Sequence, residues 1–369
     1  MKQTFSKHLC AMFIALLSLP VLAHDFEVNG IYYKIKSEYN KTVSVSYQGY
    51  DCYTYSNEYK GDVLIPSTVE YDGVTYIVIS IDEYTFYECS SLTSVVISEG
   101  VKDIGDNAFA GCSSLASIVI PNGVTNIGNN AFHGCSNLSS IIIPDGVTSI
   151  GYNTFWGCIN LTSVIIPDGV TSIGANAFCR CISLASISVP KGVNSIGDYT
   201  FSGCSSLSSI VIPEGVTSIG YNAFMDCSSL SSVVIPEGVL SIGDNAFKNC
   251  TSLSSLIVPE SVLSIGYDAF SGCYFVKSNF VNKSEIDAEA KGVTFVDVET
   301  DEGVMIKNNI VVNARHKIEN AIIPDGVVGI GESAFRDCTN LSLIVIPESV
   351  TSIGGFAFYG VYLEPSKQP

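Results

Sequence analysis

The chain has 369 residues, 47% hydrophobic and only 15% charged; that is too apolar for disorder and too long for one compact core unless it divides or grows by repetition. Its formal net charge of −18 argues against nucleic acid and anionic membrane surfaces as partners, because both call for a basic footprint. The simplest use of that charge is solubility.

Residues 1–23 read as a Sec-type signal peptide: a basic head (Lys2, Lys7), an apolar run over 11–22, and Val21 and Ala23 before His24. The run is well short of the roughly 20 residues a spanning helix needs, and no later segment approaches that length. Export is expected, without a transmembrane segment. Cys10 precedes the apolar run, whereas a lipid-attachment cysteine would follow it, so no lipid anchor is expected.

Residues 24–77 are rich in tyrosine. Ile31-Tyr32-Tyr33 after Asn29-Gly30, residues 43–47, and residues 69–76 around Asp72-Gly73 read as strands joined by hairpin turns, together an N-terminal β cap. A tyrosine-rich contact surface is compatible with that reading.

A repeat occupies residues 78–273. Phe86, Phe109, Phe132, Phe155, Phe178, Phe201, Phe224, Phe247 and Phe270 recur every 23 residues, each followed three positions later by a cysteine, from Cys89 to Cys273. The unit reads C-x-x-L-x-S-I-x-I-P-x-G-V-x-S-I-G-x-x-A-F-x-G, as in residues 135–157. Within it, L-x-S-I-x-I is a short strand stopped by proline, which cannot donate to the next ladder position. A P-x-G corner, a second extended stretch V-x-S-I and an A-F turn complete the coil. One coil buries too few apolar side chains to offset ordering its backbone, so stability must come from stacking. Between Cys273 and Cys338 lie 65 positions where the register predicts 23. This interruption, residues 274–317, reads as a protruding hairpin about Asn308-Asn309 or as one distorted coil, and serves as spacer or as ligand loop. Repeats resume over 318–362, and 363–369 form a tail.

The series Leu138-x-x-Ile141-x-Ile143-Pro144, then Val147-x-x-Ile150-Gly151-x-x-x-Phe155-x-x-Cys158, resembles the BspA-like (treponemal-type) leucine-rich repeat family. The likeness spans about 78–273 and 318–360. It implies a β-rich solenoid: a leucine-rich-repeat-like right-handed superhelix of 23-residue coils, with a parallel sheet on one face and the N-terminal β cap. It also implies a bacterial surface or secreted protein, with adhesion to host extracellular matrix and cell-to-cell contact as the family's associations. Fold alone does not fix function.

Several constellations invite chemistry. Nine cysteines in register suggest disulfides, but equivalent Cβ atoms on stacked coils point in parallel, so a buried ladder of free thiols is the preferred reading. Cys52 and Cys179 fall off the ladder and are either reactive or paired; Cys179-x-Cys181 lacks the second pair or the histidine that a zinc site needs. Asp297, Glu299 and Asp301 begin like a calcium loop, but the expected glycine is Glu302 and the closing glutamate is Asn308. After the prolines, neutral Asn122 and the acidic Asp145, Asp168, Glu214, Glu237, Glu260, Asp325 and Glu348 align as a largely acidic edge interrupted only by Lys191. This edge reads as a solvated rim rather than a cation site. No nucleophile with a base, no carboxylate pair and no phosphate loop emerges, so no catalytic residue and no cofactor are expected.

The most informative positions lie on the sheet. Strand alternation turns Leu, Ile and Ile inward, so the residue between the two Ile-type positions faces out. Those residues are Val96, Val119, Ile142, Ile165, Val211, Val234, Ile257 and Val345, with Ser188 breaking the series. β-branched residues favour strands for their own sake, yet so long an apolar stripe is unusual in a monomer and fits a protein partner equally well. The sequence thus leads to an exported, non-enzymatic binding or adhesion protein, with self-association through the same stripe as the alternative.

Overall fold

Six strands open the fold: β1 (Phe26–Val28), β2 (Ile31–Ser37), β3 (Thr42–Ser46), β4 (Gly61–Ile65), β5 (Thr68–Tyr71) and β6 (Val74–Ile81). They come from a computed structural model that describes residues 23–49, 58–284 and 286–362. The signal-peptide reading of 1–22, Cys52 and the tail fall outside those residues. β1 and β2 pair antiparallel across Asn29-Gly30, and β5 and β6 across Asp72-Gly73. All four turn residues have positive φ (53°, 77°, 50° and 73°), the backbone that Asn-Gly and Asp-Gly adopt at least cost. β3 is antiparallel to β2 but parallel to β6, and β6 pairs in parallel with residues 103–104. An antiparallel ribbon therefore covers one edge at which parallel stacking begins. Tyr33, Tyr59 and Tyr76 are buried in this cap, with the Tyr59 hydroxyl donating to the Ser46 carbonyl at 2.6 Å. These three tyrosines serve the cap's core, whereas Tyr39 is exposed.

Each coil beyond the cap bonds to the next on three sides. Strands such as Ser140–Ile142 and Ser163–Ile165 pair in parallel, serine on serine and isoleucine on isoleucine. Ser149–Ile150 pairs in the same way with Ser172–Ile173. At the A-F turn, the Phe109 N–H donates to the Ala131 carbonyl at 2.8 Å, and the Phe132 N–H to the Thr154 carbonyl at 2.9 Å. The phenylalanine rings stack at centroid separations of 4.8 to 5.7 Å from Phe86 to Phe270. Tyr59 closes this ladder at one end, 4.5 Å from Phe86, and Phe280 meets Phe270 edge-on at the other. Glycine in I-G answers to close approach: a Cβ on Gly174 would lie 2.7 Å from the Gly151 carbonyl carbon.

The interruption continues the stack and does not project from it. Phe280–Asn282 pairs in parallel with Leu256–Val258, and Tyr274–Val276 with Thr294–Val296, which together make an irregular coil. Val304–Lys307 and Ile310–Ala314 then form a hairpin about Asn308-Asn309, and its second strand pairs in parallel with Gly329–Ile330. Val304, Met305, Ile306 and Val311 are buried, so the hairpin is embedded. The apolar interior divides here, one cluster running from Phe26 to Val293 and a second from Val304 to Ala357.

Candidate binding surface

Alternation along each short strand creates the stripe. Ile141 is buried and Ile142 exposed; Ile210 is buried and Val211 exposed. All eight sequence-selected residues are exposed, from 41% at Val96 to 73% at Val211. Val96 lies opposite Val119, Ile142 opposite Ile165, and Val211 opposite Val234. Ser188 occupies the file beside Val211. Seven of the eight therefore belong to one file, whereas Val345 lies beyond the interruption and pairs with Ile322.

The file is longer than the sequence reading gave it. Leu64 of β4 is exposed opposite Val96, Val281 extends the file past Ile257, and Ile322 joins Val345. Two of these were signalled: Val63-Leu64-Ile65-Pro66 and Ala321-Ile322-Ile323-Pro324 are variants of the I-x-I-P pattern with Val or Ala in its first place, although the first lies in the cap. Val281 has no following proline to mark it.

Along the corner after the prolines, Asp145, Asp168, Glu214, Glu237 and Glu260 are exposed, and Glu99 shares their register. Lys191 stands exposed among them. Beside it a cavity of about 470 Å³ opens between the coils, lined by Ser188, Val189, Lys191, Val211, Ile212 and Pro213 among others.

Positions that suggested other chemistry have structural work. The ladder cysteines are free and buried, and their thiols donate to phenylalanine carbonyls of the preceding coil, as from Cys112 to Phe86 at 3.0 Å and Cys158 to Phe132 at 3.2 Å. Burial pushes the Cys158 thiol up to about 12, so it stays protonated and unreactive at neutral pH. Cys179 is also free and buried. Glu299 grips Arg315 through two hydrogen bonds of 2.6 and 2.7 Å, and an Asp297 carboxylate oxygen accepts the Asn308 N–H. Among the described residues no group of three His, Cys, Asp or Glu side chains is placed to hold a metal ion.

The repeat matches the family described as BspA type leucine-rich repeat region, in six copies over residues 74–185, 171–290 and 305–367. This chain belongs to that family. A leucine-rich repeat protein from Bacteroides ovatus is 29% identical, with 91% of this chain and 92% of that one covered, at a TM-score of 0.62. The leucine-rich repeat protein of T. pallidum is 27% identical over 62% of this chain and 90% of its own, at a TM-score of 0.46. A leucine-rich cell surface protein from Faecalibacterium prausnitzii is 24% identical over 86% and 93%, at 0.37. No curated protein matches the chain. BspA-type repeats are non-catalytic scaffolds that generally serve protein contact. No helix among the described residues is long and apolar enough to cross a membrane.

Proposed function

We propose that this BspA-type repeat protein is exported and binds a protein partner through its apolar stripe, without catalysing a reaction. The observation that carries this reading is the file from Leu64 to Val281, whose β-branched and leucine side chains stay exposed while their strand neighbours are buried. So extended an apolar surface costs solubility unless something covers it. The family resemblance points to host matrix or cell-surface proteins as the class of partner.

The test is saturable binding of residues 24–369 to purified host matrix and bacterial surface proteins, beside an Ile142→Thr, Val211→Thr double variant. Binding weakened in a variant with an unchanged melting point supports the reading; equal binding by both chains removes the stripe from it. A second reading, self-assembly, draws on the same file, which is apolar along its length and so suits a copy of itself. It predicts a mass in light scattering that rises with concentration and falls back to the monomer in the double variant.

A further inference from the structure

A repeat surface has a specificity problem of its own. Coils stack at about 4.8 Å, and a partner that fits one stretch of identical coils fits equally well one coil along. An array without irregularities binds but cannot fix where. Axial register requires a position at which the repeat departs from itself, as a single polar residue sets register in a coiled coil.

The stripe contains one coil that departs on both sheet and rim. Ser188 replaces the β-branched residue carried by its neighbours Ile165 and Val211, and Lys191, three residues on, replaces the acidic rim residue. A cavity of about 470 Å³ lies beside this coil, floored by buried Val189, Ile212 and Pro213, with the small Ser188 on its wall where the neighbouring coils carry a branched side chain. The Lys191 side chain lies at its edge, with Asp168 and Glu214 one coil to either side. Lys191 makes no ion pair with these neighbours or with any other described residue, so its ammonium group is available.

We infer that this coil is the register key of the stripe: the notch receives one apolar side chain, and Lys191 an adjoining carboxylate, from an otherwise cationic protein partner. The inference rests on the proposed reading of the sheet as the binding face. The rim selects the partner's charge, because Glu99, Asp145, Asp168, Glu214, Glu237 and Glu260 favour a basic surface and the chain carries −18 overall. A second copy would instead set one acidic rim against another. A lone carboxylate on a basic partner is penalised opposite the acidic rim residues and favoured at Lys191; the rim is neutral at Asn122, but that coil keeps Val119 on the sheet, so charge and shape together select the coil of Ser188 and Lys191.

The test uses two short synthetic peptides of alternating lysine and valine, one with a single central glutamate and one with glutamine there, each with a photo-crosslinker beside the centre. Affinity is read by fluorescence anisotropy and position by mass spectrometry of the crosslinked chain. The glutamate peptide should bind about tenfold more tightly than the glutamine peptide, with crosslinks confined to the coils around residues 165–211. Lys191→Glu should abolish that preference, and Ser188→Val should spread the crosslinks along the stripe. Both substitutions restore the repeat's own pattern, and unchanged melting points confirm that both variants fold. Crosslinks already spread in the native chain, or a preference that survives Lys191→Glu, overturn the key while leaving the sheet reading intact. Absence of saturable binding by either peptide, or binding undiminished in the Ile142→Thr, Val211→Thr variant, overturns the sheet reading and the key with it.

Discussion

Tyr199 holds a backbone conformation that six other coils give to asparagine. Its φ is 55°, and the same position is Asn107, Asn130, Asn153, Asn176, Asn222 and Asn245 in those coils and Tyr84, Asp268, Ser333 and Phe356 in four more, all left-handed. Asparagine tolerates that region through local hydrogen bonding; a tyrosine there is strained by about 1 kcal/mol or more. Tyr199→Asn should therefore stabilise the chain by about 0.5 to 1 kcal/mol, seen as a higher urea midpoint at unchanged m-value. An unchanged or lower midpoint would mean that the ring contact with Tyr221, at 5.2 Å, outweighs the strain. Arg180 presents the same problem at the position where six other coils place glycine, with φ of 59°, but there the guanidinium gains the face of Trp156 at 5.7 Å. Neither strain was legible in the sequence, where both positions are merely variable within the repeat.

Among the elements, the stripe was legible and its ends were not. The period of two along a strand and of 23 between coils places Val119 and Ile142 on the outer face without a structure, because one slip would bury a serine. Leu64 was hidden because its strand arises from the cap, and Val281 because the irregular coil drops the proline that marks the others. The Ser188 break was visible; the notch beside it required the neighbouring coils. The I-G glycines were visible as a pattern but not explained, since their cause is another coil's backbone. Gly174→Ala should cost several kcal/mol, because its methyl would meet Gly151 and Tyr152 backbone atoms at 2.7 Å, and these are held by stacking on both sides. A change below about 0.5 kcal/mol in the denaturation midpoint would show that the coils can part locally.

The thiol ladder makes a prediction about pH at the same scale. Burial raises Cys158 from an ordinary 9.0 to about 12, and Cys112, Cys135, Cys181 and Cys227 move in the same direction. A raised folded-state value means that the unfolded chain releases its protons first as pH climbs. The stabilisation is thus complete below about pH 9 and falls toward about pH 12, by roughly 1.4 kcal/mol per pH unit for each such thiol. The melting temperature should drop steeply over that window, and Cys158→Ala should make the drop shallower. A melting temperature flat to about pH 11 would contradict the buried ladder.

For the whole molecule, the question is whether two apolar clusters melt as one. In a stack, stability is the sum of each coil and its interfaces, and cooperativity weakens where an interface is poor. The weak point is the interruption, where the cluster ending at Val293 gives way to the one beginning at Val304. Arg315 bridges it: two of its nitrogens hold Glu299, and Nη1 donates to the Thr251 carbonyl at 2.9 Å, reaching back across the junction to a regular coil. Both charged side chains are largely buried, at 12% and 18% exposure, so removing one leaves the other unpaired in a poorly solvated place. That loss is worth about 3 kcal/mol and falls on the junction rather than on either cluster. Arg315→Met should therefore split urea unfolding into two steps, with residues 304–357 released first and exchanging their amide hydrogens sooner than the coils before residue 293. A single transition displaced as a whole to lower urea would show that backbone pairing between Ile310–Ala314 and Gly329–Ile330, together with the hairpin's burial, couples the clusters without the ion pair.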